Sequence, residues 1–85
     1  MRYKVFSIRD RAADLYGRPF YSNTVGSAIR SFSDEINRVS QDNQLNQHPD
    51  DFDLYYLGEF DDANGSFETV NPEMVGIGKD LKIKV

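Results

Sequence analysis

Tyr3 and Val5 alternate with Arg2, Lys4, Phe6 and Ile8 at the start of the chain, a period of two in β-branched and aromatic residues that predicts a first strand over 2–8. Both sides of this strand carry bulk, so it is expected to be covered on one face and partly on the other. Gly17, Pro19, Ser22 and Asn23 then supply turn chemistry over 16–23. From Val25 the period changes. Val25, Ala28, Ile29, Phe32, Ile36 and Val39 recur at spacings of three and four, the stripe of an amphipathic helix capped by Asn23 or Thr24 and running to about Asp42. A polar stretch over 41–53 carries the chain to a second strand over 54–60. Strict alternation puts Leu54, Tyr56, Gly58 and Phe60 on one face of that strand and Tyr55, Leu57 and Glu59 on the other.

Asp61 to Gly65 reads as a hairpin turn into a strand over 66–70, which Asn71 and Pro72 are expected to stop. Met74, Val75 and Ile77 fit an irregular segment or one helical turn. The last residues alternate again, with Leu81, Ile83 and Val85 expected inward and Lys82 and Lys84 outward. The order strand, helix, strand, strand, strand implies an α+β fold over the single domain 1–85, an antiparallel or mixed sheet of about four strands with one amphipathic helix packed on a face.

Composition sharpens this picture in one respect. The net charge of −4 hides a split: residues 1–38 carry seven basic side chains against four acidic ones, while residues 39–78 carry nine acids and no Lys or Arg. Lys79, Lys82 and Lys84 against Asp80 return the end of the chain to +2. If the first and last strands are neighbours, Arg2, Lys4, Lys82 and Lys84 form one basic face suited to a polyanion. Eighty-five residues bury a modest core, and strands bulky on both faces leave apolar surface that one helix cannot cover, so a homodimer or larger assembly is expected. The absence of cysteine fits a reducing cytoplasm, and the first residues lack the apolar run of a signal peptide.

Candidate chemistry is thin. Asp61, Asp62 and Asn64 lack the alternate-position spacing of a calcium loop and read as turn residues. His48 beside Asp50, Asp51 and Asp53 has no second ligand pair, and Gly76-x-Gly78 lacks further glycines and is expected to lead into a strand, so neither a metal site nor a phosphate loop is expected. No cofactor and no enzymatic activity are expected. The aromatics Tyr3, Phe6, Tyr55, Tyr56, Phe60 and Phe67 are candidates for stacking on unpaired bases where they stand on an open sheet face, most of them being core. Tyr3 and Tyr55 join Arg2, Lys4, Lys82 and Lys84 as the expected nucleic-acid-binding residues.

Three segments in order, Tyr3 to Asp10 (YKVFSIRD), Gly26 to Asn37 (GSAIRSFSDEIN) and His48 to Gly65 (HPDDFDLYYLGEFDDANG), resemble the small nonstructural protein of gokushovirus-type microviruses, phages with single-stranded DNA genomes. The resemblance implies a DNA-binding protein of the host bacterial cytoplasm that assists the switch to single-strand genome synthesis or packaging. It assigns no catalytic residue. An alternative reading makes the chain a protein-interaction module whose acidic middle, residues 42–73, engages a replication or assembly protein.

Overall fold

A computed structural model describes residues 1–84, which form a curled, wholly antiparallel sheet with one main helix on a face. The elements are β1 (Arg2–Asp10), β2 (Leu15–Tyr16), β3 (Phe20–Ser22), α1 (Val25–Asn37), α2 (Gln44–Gln47), a 3-10 turn (Pro49–Asp51), β4 (Phe52–Asp61), β5 (Ser66–Ile77) and α3 (Gly78–Leu81). The strand order is β2-β1-β4-β5, with β3 pairing β1 beyond β2. The α+β class is as expected. Its strand count, however, is completed by the two short strands before α1 and not by a strand at the end of the chain.

The α1 stripe behaves as its period requires. Thr24 caps the helix, its Oγ1 accepting the Ser27 N–H at 3.0 Å. Ala28, Phe32 and Ile36 are buried against Phe6 of β1 and Leu54 of β4, and each large side chain removed from water stabilises the fold by roughly 1.5–3 kcal/mol. The helix stops at Asn37, five residues short of the periodic limit, and Val39 is left 85% exposed. Asn43, itself buried, explains the stop: its Nδ2 donates to the carbonyls of Glu35 and Arg38, both at 2.8 Å. Asn46 donates to Ile36 O at 3.0 Å. Side chains from the following loop therefore satisfy carbonyls that further helical turns would have satisfied.

The end of the chain departs most from expectation. Gly78 approaches β4 so closely that a Cβ there would lie 2.3 Å from Phe52 O and 2.4 Å from Pro49 O, and the chain turns at this point into α3. Leu81 packs on the core as expected, but the segment is tied to α1 by Asn37, which donates to Leu81 O and accepts from Ile83 N–H. With its backbone bonded to a side chain, 82–84 pairs with no strand. Ile83 is exposed, contrary to its expected inward position, and Val85 lies outside the described residues.

β5 is longer than expected and passes through Pro72. Tyr56 pairs with Glu73 and Gly58 with Thr69, leaving Val70, Asn71 and Pro72 opposite the single residue Leu57. A proline lacks the N–H of a ladder bond but is tolerated in a bulge on an edge strand, and β5 is the sheet edge. Leu57 is also unpaired towards β1, where Val5 meets Gly58 and Phe6 meets Tyr56. One extra residue in β4 reverses the side on which every later side chain points. Phe60 thus leaves the face of Leu54 and Tyr56, where strict alternation had put it, and joins that of Tyr55.

Candidate nucleic-acid interface

The cross-strand register sorts the sheet into two unlike faces. On the side of α1 stand Phe6, Ile8, Phe20, Leu54 and Tyr56, and beyond the end of the helix the charged row Lys4, Glu59 and Glu68 with Arg2 and Asp61. On the other side, rows across the strands read Tyr3, Phe60, Phe67; then Tyr21, Val5, Gly58, Thr69; then Ser7, Tyr55, Met74; then Tyr16, Arg9, Asp53, Ile77. Arg9 and Asp53 are the two charged residues of those rows. No helix or strand of the described residues covers this second face.

Its aromatics form two groups. Tyr21 and Phe60 have ring centroids 6.0 Å apart, and Phe60 and Phe67 are 4.8 Å apart. Tyr3, Tyr21 and Phe60 line a shallow cavity of about 310 Å³. Phe67 is 57% exposed and Tyr21 52%, so apolar ring surface faces water here. At the other end Tyr16 meets Tyr55 edge-on at 5.3 Å, with the Arg9 guanidinium 5.9 Å from the Tyr16 ring. Between the groups the face is closed: Val5 and Ser7 are buried, and Ser7 Oγ donates to Gly17 O at 2.7 Å.

The expected basic face is not assembled. Arg2 and Lys4 share a surface, but on the α1 side, and acids hold both. Arg2 bonds Glu59 and Glu68 at 2.7 Å each, while Lys4 Nζ lies 3.6 Å from Glu59 and 5.5 Å from the Tyr56 ring. The Glu59 carboxyl is held below the usual carboxylate range, first by the hydrogen bond from Arg2 and then by the charges of Arg2 and Lys4. Lys82 and Lys84 follow α3, which contacts Phe52 at the Asp10 end of β1. Eight strand residues, about 26 Å, separate that end from Arg2. Of the six expected binding residues, the open face holds only Tyr3 and Tyr55.

Ion pairing takes up part of the charge split along the sequence. Arg11 bonds the buried Asp53 at 3.0 Å, Arg2 and Lys4 take Glu59 and Glu68, and the Met1 ammonium takes Asp62 at 2.6 Å. The basic first strand and the acidic hairpin are complementary neighbours in one sheet. Asp61 and Asn64 act as turn residues, accepting from Ala63 N–H and Ser66 N–H respectively, while Gly65 takes the positive φ of 69°. Tyr16 and Tyr21 reach the open face through β2 and β3, strands of two and three residues too short to leave a period, and Arg9 stands near the end of β1.

The chain is thus a small α+β sheet protein with one aromatic, nearly uncharged face. Residues 3–81 match the model of the Phage ORF5 protein family, and the chain belongs to that family. It is 39% identical over 74 residues to the protein called Protein ORF5 of Chlamydia phage 1, an alignment covering 85% of this chain and 77% of that protein. The resemblance to a small microvirus-type phage protein is thereby shown. No solved structure matches it. No helix among the described residues is long and apolar enough to cross a membrane.

Proposed function

We propose that the chain binds single-stranded DNA of its phage on the open sheet face, by stacking of bases on aromatic rings. The observation that carries this reading is the group Tyr3, Tyr21, Phe60 and Phe67 on the side opposite Glu59 and Glu68, where the neighbouring acid Asp62 is held by the Met1 ammonium and the Tyr3 hydroxyl. Unpaired bases expose flat apolar faces, and each base stacked on an aromatic side chain contributes about 1–3 kcal/mol irrespective of sequence. A duplex keeps those faces internal, so the platform selects unpaired strands. Such binding tolerates a net charge of −4, because it depends little on neutralising phosphates. The role that fits is attendance on the genome in the host cytoplasm as it becomes single-stranded, during synthesis or packaging, without catalysis.

The alternative use of the acidic middle to hold a basic protein has less support. Four of its nine acids, Asp53, Glu59, Asp62 and Glu68, are engaged by cations of the same chain. A homodimer closed over the aromatic face is the competing use of that surface, and sedimentation with and without oligonucleotide separates the two.

Fluorescence anisotropy with a labelled oligothymidylate of about a dozen nucleotides tests the reading. Phe60→Ala and Tyr21→Ala are expected to weaken binding by about 5- to 100-fold each, the equivalent of one lost stack. Lys82→Glu with Lys84→Glu is expected to change it by less than about threefold, since exposed distant charges are screened. Absence of wild-type binding at low salt, or aromatic variants that bind as tightly as wild type, contradicts the reading.

A further inference from the structure

Arg9 is the sole cation in the strand rows of the open face, and its position is unusual for a structural residue. Asp53 stands across from it in register, yet Asp53 is bonded by Arg11. The Arg9 guanidinium instead reaches Asp14, in the loop between β1 and β2. Asp14 adopts φ 57°, the left-handed conformation that costs most side chains strain, and this turns its carboxylate back over Arg9. That side chain is 81% exposed and makes no other hydrogen bond among the described residues. The pair lies beside the exposed Tyr16 ring and its edge-on neighbour Tyr55.

We infer that Arg9 contacts a backbone phosphate of the bound strand, and that Asp14 is a displaceable carboxylate occupying the phosphate position in the free protein. This deepens the reading of the open face as a single-strand site and rests on it. A guanidinium presents the same planar fork to carboxylate and phosphate, so one replaces the other without rearranging the arginine. An exposed ion pair stabilises little, which makes Asp14 easy to displace. The phosphate so held puts its base within reach of Tyr16 and Tyr55, giving the face a second stacking position about 20 Å along β1 from Tyr3. Asp14 then lowers affinity and makes binding conditional on a strand that supplies both phosphate and base.

The test is oligothymidylate binding over a salt series with Asp14→Asn, Arg9→Gln, the double variant, and Asp34→Asn. Asn is among the residues that best tolerate a positive φ, so Asp14→Asn preserves the turn, and circular dichroism checks the fold of each variant. Asp34 is exposed on α1, across the sheet, and its change removes the same charge. Asp14→Asn is expected to tighten binding about three- to fivefold and to steepen the log–log salt slope by up to about 0.7, because no displaced carboxylate then takes up a cation as the phosphate releases one. Arg9→Gln is expected to weaken binding and abolish the gain from Asp14→Asn, while Asp34→Asn stays within about twofold of wild type. Equal gains from Asp14→Asn and Asp34→Asn overturn the inference, as does a gain that survives Arg9→Gln or no gain from Asp14→Asn. In those cases wild-type binding that is sensitive to Phe60→Ala leaves the open-face reading standing. Failure of every protein to bind overturns both.

Discussion

Leu57 and Gly58 decide which side of the sheet the rest of the hairpin faces. Gly58 has φ 140°, and a Cβ built on it would lie 2.0 Å from Glu68 O on β5, so neither its conformation nor its surroundings admit a side chain. Gly58→Ala is expected to destabilise the protein by about 3 kcal/mol or more, combining backbone strain with displacement of β5. Urea denaturation monitored by circular dichroism measures this, and a loss below about 1 kcal/mol would show that the bulge relaxes at little cost. The sequence contains a cue here, since an isolated glycine within a strand pattern often marks a bulge, but it does not say which neighbour is extra. Phe60 therefore reads from the sequence as a neighbour of Leu54, and its place on the open face becomes visible only through the register.

Among the elements, α1 and the start of β1 are legible because their partners are local or strongly periodic. Ala28, Phe32 and Ile36 need only a sheet to pack on. The end of α1 and the fate of 79–84 are not legible, because Asn43 and Asn37 settle them through bonds to distant backbone that carry no period. The hairpin arm, the ends of β4 and β5 beyond α1, is held on its charged side by Arg2 between Glu59 and Glu68. Glu59 and Asp62 both titrate below their ordinary range, Glu59 chiefly through Arg2 and Asp62 chiefly through the terminal ammonium. A depressed carboxylate value in the folded state means a contribution that is complete above the unfolded value, about 4.3 for Glu, and lost as pH falls through the lower folded one. Protection factors of the amides in 59–68, which correct exchange for its intrinsic slowing towards acid, are accordingly expected to fall below about pH 4, before those of α1 do. Glu59→Gln should make the arm exchange faster at neutral pH and flatten that dependence. A uniform loss of protection across arm and helix would show instead that the arm has no separate acid transition.

At the scale of the molecule, 45 × 23 × 21 Å, the two expectations drawn from charge and from aromatics have different outcomes. The charge split along the sequence is partly taken up within the fold, where basic β1 lies against β4 and Arg2 reaches Glu68 of β5, so net charge of a segment does not translate into charge of a face. The aromatic content does reach a surface. Phe6, Phe20, Phe32, Phe52 and Tyr56 fill the core, and Tyr3, Tyr16, Tyr21, Tyr55, Phe60 and Phe67 stand on the side that α1 leaves open. Of the residues expected to bind DNA from the sequence, the tyrosines lie on the open face and the cations do not.

Chemical-shift mapping by two-dimensional ¹⁵N–¹H NMR during titration with unlabelled oligothymidylate tests that division most directly. The account predicts perturbations at Tyr3, Arg9, Tyr21, Phe60 and Phe67, with Ala28, Ile36, Lys82 and Lys84 unmoved at saturation. Perturbations concentrated at Arg2, Lys4, Lys82 and Lys84, or none at an excess of oligonucleotide in low salt, would contradict it.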